Sequence, residues 1–285
     1  MHVSYGELVR VCPEAIRMTG FTYGQADDAV EGIVWSECVL GRGYDLLRMA
    51  DDRRAGKQWP KPRLEVQTDT ARVALSGLPA YGFAARLADL AAELAESSNR
   101  NVGRVNAHGA FGGWIVPYIV YRLSRRGLRA AVLWRPSSPL NVDEAPGMLM
   151  LADPTTPGAA VPALSVIAAV LLPNAEQAVS PEMTVPLNLV RSIDAADQPA
   201  SDESVIAIAA MPDSASADML EAVPLSHALD ELGLVGAAAS LDASERVSAA
   251  VNRGLSVSPE KHAFLNELSQ RIRMPNTERS KSQAG

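Results

Sequence analysis

One histidine stands where a strand gives way to a helix, in Val102-Gly-Arg-Val-Asn106-Ala-His108-Gly-Ala-Phe111-Gly112-Gly113-Trp114. An imidazole at such a place can exchange a proton with a hydroxyl or a carbonyl near neutral pH. The end of a strand in an α/β sheet is where ligands bind, and small residues let a substrate approach the backbone. The bland alternative is that His108 caps the helix and the glycines merely make the turn. A second group is basic: Arg42, Arg48, Arg53 and Arg54, with Tyr44 one helical turn before Arg48. A guanidinium holds a carboxylate through two parallel hydrogen bonds, so one of these could anchor an acidic substrate. The alternative is a solvated helix face paired with Asp45, Asp51 and Asp52, which is our reading of Arg53 and Arg54. Arg42, bracketed by Gly41 and Gly43, fits either.

These residues need a scaffold, and its elements show in the pattern. Ser4 and Glu7 have the spacing of a capping box, and apolar periodicity runs from Leu8 to Met18 before Gly20. A second helix fits Gln25 to Leu40, with Ala29, Ile33, Val34 and Val39 on one stripe. A third runs from about Asp45 to Ala55 and ends in the basic, Pro-bearing loop from Arg53 to Arg63. From residue 64 strand and helix alternate. Strands fit Arg72–Ser76, Val102–Asn106 and Arg129–Trp134, and helices fit Tyr81–Glu96 and Trp114–Arg126. Apolar runs at Met148–Leu151, Leu164–Leu172, Val185–Val190 and Val205–Ala209 read as further strands of undetermined direction. Residues 192 to 203 read as an acidic linker. Helices follow at roughly 224–233, 242–253 and 259–271, then a polar tail. The expected fold is α/β, a helical N-terminal region packed on a mixed sheet. It divides into a helical region 1–63, an α/β core 64–191, a linker, strand and helices 192–273, and a mobile tail 274–285.

Composition bounds the function. The chain has 285 residues, 47% hydrophobic and 21% charged, enough to bury a core. A net charge of −7 argues against a general nucleic-acid binder. No apolar run is long enough to cross a bilayer, and the N-terminus has no signal-peptide pattern, so a cytoplasmic address is expected. Cys12 and Cys38 lie in apolar helical segments and read as reduced core thiols. No cluster has metal-ligand spacing, and neither a P-loop nor a Gly-x-Gly-x-x-Gly after a strand occurs. His227 and His262, isolated on amphipathic helices, read as surface or capping residues. The lysines stand at 57, 61, 261 and 281 alone, against 22 arginines.

The opening Val3-Ser-Tyr-Gly-Glu-Leu-Val9, the acidic helix ending at Gly41-Arg42-Gly43, and the segment from Val102 to Trp134 resemble the type-2 malate/L-lactate dehydrogenase family. Arg253-Gly-Leu-Ser-Val257 is similar to its C-terminal region. Met274-Pro-Asn-Thr-Glu-Arg-Ser280 resembles an uncharacterised bacterial family, a shortened offshoot. The resemblance implies a fold distinct from the Rossmann domain, NAD or NADP as cofactor with no metal, and a 2-oxo acid or cyclic imino acid as substrate. It also implies a homodimer, or a heteromer with a related chain. His108 then corresponds to the acid/base, Asn106 orients it or the substrate, and Arg42, Tyr44 and Arg48 meet the carboxylate. The chain departs from the family where Ser-His-Gly is replaced by Gly41-Arg42-Gly43. The segment from Asn106 to Phe111 is one residue longer than Asn-Ser-x-His-Phe-Gly. The Gly-Gly-Tyr-Lys-Gly-Tyr-Gly motif is missing, and Arg122, Arg125 or Arg135 would have to serve the cofactor phosphates. A cofactor-free binding or regulatory subunit is the second expectation.

Overall fold

The computed structural model describes residues 1–54, 58–97, 102–137, 148–152, 203–212 and 243–271, with the short stretches 166–168, 177–178, 184–186, 191, 222–224, 227 and 239–240. In chain order the elements are β1 (His2–Val3), α1 (Tyr5–Met18), α2 (Tyr23–Leu40), α3 (Gly43–Arg54), β2 (Arg63–Val66), β3 (Thr70–Ala74), α4 (Ala84–Ser97) and β4 (Gly103–His108). Then come α5 (Val116–Arg125), β5 (Leu128–Arg135), β6 (Met148–Ala152), β7 (Val166–Ala168), β8 (Gln177–Ala178), β9 (Thr184–Pro186) and β10 (Val205–Pro212). β11 (Ala222–Pro224), β12 (Ala239–Ser240), α6 (Ala243–Arg253), β13 (Leu255–Ser256) and α7 (Pro259–Gln270) complete the order. Short 3-10 turns at Ala80–Gly82 and Gly113–Ile115 lead into α4 and α5.

The N-terminal helices begin where side chains satisfy their free N–H groups. The Ser4 hydroxyl accepts from the Glu7 N–H at 3.1 Å, and Thr22 with Gln25 closes a capping box on α2. That second box moves the start of α2 two residues earlier than the apolar stripe alone indicates. α2 is buried on most of its circumference, from Ala26 and Ala29 through Ile33, Val34 and Trp35 to Leu40. It touches α1, α3, α4, α5 and α6, and is therefore the axis of the helical layer.

The central sheet has seven strands in the order β2-β3-β4-β10-β5-β6-β7. β3 and β4 are parallel, joined through α4, and every other neighbouring pair is antiparallel. The expected β-α-β-α-β alternation is present, but β10 lies between β4 and β5 and pairs with both. Three boundaries are corrected. The strand expected at Arg72–Ser76 is Thr70–Ala74, because Ser76 turns the chain with φ of 49°. β2 lies where a loop was expected to end, and all four of its residues are exposed, so it carries no core periodicity. The helix expected at roughly 224–233 meets β11, which pairs with β9, at Pro224 alone; His227 is helical, and the rest of that span lies outside the described residues.

One face of the sheet carries Val105, Ala107, Val132, Trp134, Ile206 and Ile208 into the core beneath α4 and α5. Full burial of each of the valines and isoleucines stabilises the fold by about 1.5–3 kcal/mol. The alternate residues, Arg104, Asn106 and His108 among them, face the other way. Cys12 is buried and Cys38 half-buried, both as thiols, and burial pushes Cys38 up to about 12. Among the described residues no helix is long and apolar enough to cross a membrane.

Candidate active site

His108 is the last residue of β4. It sits beside Ala74 of parallel β3 and opposite Val205 of β10, which in turn pairs with Arg135 at the end of β5. The carboxyl ends of β3, β4 and β5 and the start of β10 thus meet at one edge of the sheet. Paired residues share a face, so His108, Val205 and Arg135 form one row. Arg72, Asn106, Ala207 and Leu133 form the row beneath it.

The chain leaving His108 is clamped from both sides. Its carbonyl accepts from Leu75 N–H at 2.8 Å, and Gly77 N–H donates to the Gly109 carbonyl at 2.6 Å. Gly109 N–H donates to the Ser204 carbonyl at 2.9 Å, and the Ser204 hydroxyl donates to the Ala110 carbonyl. Phe111 continues the pairing with Leu78 and Ala80. Arg53 lies 4.3 Å over the Phe111 ring, and Trp59 packs on it at 6.0 Å. The strand end is held by backbone bonds, so the imidazole is presented from a fixed support.

Half-buried His108 is held below the ordinary histidine value by burial first; Glu203 pulls it back up and Arg72 pushes it further down. At neutral pH the ring is therefore the neutral base. Asn106 shares its face and is 4% exposed. Arg72, exposed, lies in register with Asn106. Of these neighbours only Asn106 was expected from the sequence. Arg72 could have been found as the residue facing Asn106 once β3 and β4 were paired. Glu203 lay hidden at the end of an acidic stretch that reads as a linker.

The other expected site residues gather elsewhere. Gly41, in the left-handed region that suits glycine, caps α2. Arg42 follows it, ion-paired to Asp45 at 3.2 Å and lying 4.9 Å over the Trp114 ring. Tyr44 is 2% exposed, its N–H donating to buried Glu37 at 3.0 Å and its hydroxyl in the helical core. Arg48 is exposed and stacks on Phe264 of α7. Lys261 of α7 ties this corner together, donating to the Gly41 carbonyl at 2.6 Å and lying 3.3 Å from Asp45 and 3.9 Å from Glu37. Burial raises the Glu37 carboxyl, an effect that Lys261 opposes most strongly. Asn106 and His108 are thus brought together. Arg42 meets the far end of the following loop, and Tyr44 and Arg48 belong to the packing of α3.

The same division applies to the guanidiniums weighed for cofactor phosphates. Arg122 is bidentate to Asp89 at 3.1 and 3.0 Å, and Arg125 is exposed beside Tyr121. Arg135 alone of the three lies on the His108 face. Two guanidiniums on one sheet face with an imidazole and an amide between them suit an anionic ligand, and Arg135 and Arg72 are the residues that fit a phosphate or carboxylate. Among the described residues no group of three or more His, Cys, Asp or Glu could hold a metal ion. His262 is hydrogen-bonded to Asn266 at 3.0 Å and lies 3.9 Å from Glu7; His227 is exposed.

No protein-family model and no curated protein sequence matches the chain. Solved structures do. Malate dehydrogenase from Pyrococcus horikoshii OT3 superposes with a TM-score of 0.64 at 14% identity, over 95% of this chain and 95% of that one. Malate dehydrogenase from Entamoeba histolytica gives 0.63 at 10% identity, over 96% and 99%. Delta1-piperideine-2-carboxylate reductase from Pseudomonas syringae pvar. tomato gives 0.57 at 14% identity, over 94% and 99%. The likeness runs end to end, and the helical N-terminal region on its mixed sheet is the malate/lactate dehydrogenase-like fold.

Proposed function

We propose that this chain is a dehydrogenase-like oxidoreductase that takes a small carboxylate at the sheet edge around His108. The substrate class is a 2-oxo or 2-hydroxy acid or a cyclic imino acid, with NAD or NADP as hydride carrier. The observation that carries the reading is a neutral, half-buried imidazole on a clamped strand end, flanked by Asn106, Arg72 and Glu203. It is supported by a fold whose solved examples include dehydrogenases and a cyclic imino acid reductase.

In the oxidising direction His108 takes the proton of the 2-hydroxyl as the C2–H bond breaks and the oxo group forms. The carboxylate of Glu203 favours the imidazolium that results. In the reducing direction the imidazolium returns that proton to the carbonyl oxygen or the imine nitrogen. Asn106 orients the reacting oxygen, and Arg72 holds the carboxylate on the same face. Arg42 offers a second anchoring point at the Trp114 end of the loop. The bound nicotinamide would supply or accept the hydride, with Arg135 beside its phosphates.

A second reading has one feature in its favour. No lysine lies between Lys61 and Lys261, and Lys261 is committed to the α2–α3 corner. The chain would then be a cofactor-free binding or regulatory subunit partnering a related dehydrogenase chain. Fluorescence titration with NADH and NADPH, with and without a panel of 2-oxo, 2-hydroxy and cyclic imino acids, separates the two. Saturable cofactor binding supports the enzyme, and acid binding without cofactor supports the subunit. Binding of neither refutes both.

A further inference from the structure

The free edge of the central sheet has a pattern that fits a second copy of itself. β2 ends the sheet, and eight consecutive residues, Lys61 to Thr68, are exposed. Leu64 and Val66 are each 56% exposed. They stand opposite Val73 and Ala71 of β3, on the helical face, so they continue the core's apolar surface past its last covered strand. Arg63 and Glu65 take the opposite face.

The hydrogen-bond phase of the hairpin decides which backbone groups are free. Gln67 N–H donates to the Thr70 carbonyl at 2.8 Å, which makes Gln67 and Thr70 a hydrogen-bonded pair. Pairs alternate along an antiparallel ladder, so Glu65 and Arg63 also bond inward to β3. The N–H and C=O groups of Leu64 and Val66 therefore point outward, away from the sheet.

We propose that two copies of this chain associate through β2, antiparallel about a two-fold axis at Leu64, so that their sheets become continuous. In this register each Leu64 bonds through its backbone to the partner's Leu64, and the two side chains meet on the helical face. Each Val66 N–H meets the carbonyl of the partner's Pro62, which has no N–H to return, so this pair makes one bond where the Leu64 pair makes two. On the other face Arg63 stands opposite the partner's Glu65, and this pair occurs twice by symmetry. The register centred one residue later sets Glu65 against the partner's Glu65, and like charges directly opposite are destabilising. Charge thus selects the first register. The Lys61-Pro62 flank keeps the exposed edge short, as edge strands of soluble proteins are kept.

The experiment is sedimentation velocity on the full chain at micromolar concentration, with two single charge reversals. The parent protein should be a dimer. Arg63→Glu creates two Glu–Glu contacts in its own dimer, and Glu65→Arg creates two Arg–Arg contacts. Each variant alone should self-associate roughly tenfold more weakly or worse. An equal mixture of the two restores both contacts as opposite-charge pairs and should dimerise like the parent. Leu64→Cys should form a disulfide-linked dimer on mild oxidation, since Cys12 is buried and Cys38 half-buried while position 64 is exposed. A monomeric parent, a reversal variant that dimerises as tightly as the parent, a mixture no tighter than its components, or a Leu64→Cys protein that does not cross-link would each overturn the proposal.

Discussion

Gly113 stands where the loop after His108 crosses the core, and a single methyl group there tests the packing. A Cβ at this position would lie 2.2, 2.4 and 2.6 Å from three atoms of the Trp134 indole. Trp134 is fully buried on the core face of β5, beneath α5, so the ring has no free direction to move. Forcing one carbon into a filled site costs about 1–3 kcal/mol. Removing a glycine stiffens the unfolded chain and offsets about 0.4–1 kcal/mol of that. Gly113→Ala should therefore lose roughly 1–2 kcal/mol, which lowers Tm by roughly 2–8 °C in a chain of this size. Urea unfolding followed by far-UV circular dichroism measures it without relying on tryptophan emission. Trp134→Phe alone should also destabilise, through the cavity it leaves, but it removes the atoms that the new methyl meets. The double variant should then lose clearly less than the sum of the two single losses. Additive losses, or a Gly113→Ala loss below about 0.5 kcal/mol, would refute the claim that this glycine is required by close approach.

Three further outcomes are expected. Arg72→Ala should weaken 2-oxo acid binding by about 1.5–3 kcal/mol in calorimetry and Arg42→Ala by less; the reverse ranking would move the pocket to the Trp114 end of the loop. Because burial depresses His108, the unfolded chain binds the extra proton first as pH falls below about 6.5, so this residue's contribution to stability declines through the folded-state pKa. His108→Gln should flatten that decline, and Glu203→Gln should move the His108 titration further down by NMR; an upward shift would contradict the assigned neighbours. Lys261→Met should destabilise more at pH 8 than at pH 5, because Glu37, already raised by burial, needs its counter-charge only when ionised; equal losses in urea at the two pH values would count against that account.

The sequence reveals the helices well because their signals are local. Ser4, Gly20 and Gly41 mark ends through caps and turns, and α6 and α7 differ from their expected limits by one residue at an end. The strands flanking α4 and α5 were legible for the same reason. The order of the sheet was not, since nothing near Val205–Pro212 reports that it inserts between β4 and β5. β2 escaped notice because a strand with both faces exposed has no alternation to show. At the candidate site, His108 and Asn106 could be read together because they lie two apart on one strand. Arg72 and Glu203 join them only through pairing across strands, which spacing along the chain does not encode. Arg42 and Arg48 are both expected at the carboxylate from the sequence, yet Arg42, just before α3, turns to Trp114 and Arg48, within it, to Phe264.

The place of β10 also sets an order of events at synthesis. β4 and β5 leave the ribosome with their facing edges open, and the strand that joins them emerges only after a long intervening stretch. During that interval the nascent chain carries two apolar strand edges, a condition that invites pairing with the wrong partner. Closure of the sheet is therefore a late, long-range step that cannot begin before Val205 is made or finish before Pro212. A fragment ending before Val205 would keep α1 to α5, the histidine and its loop, yet it would lack α6, α7 and the strand that makes them one protein.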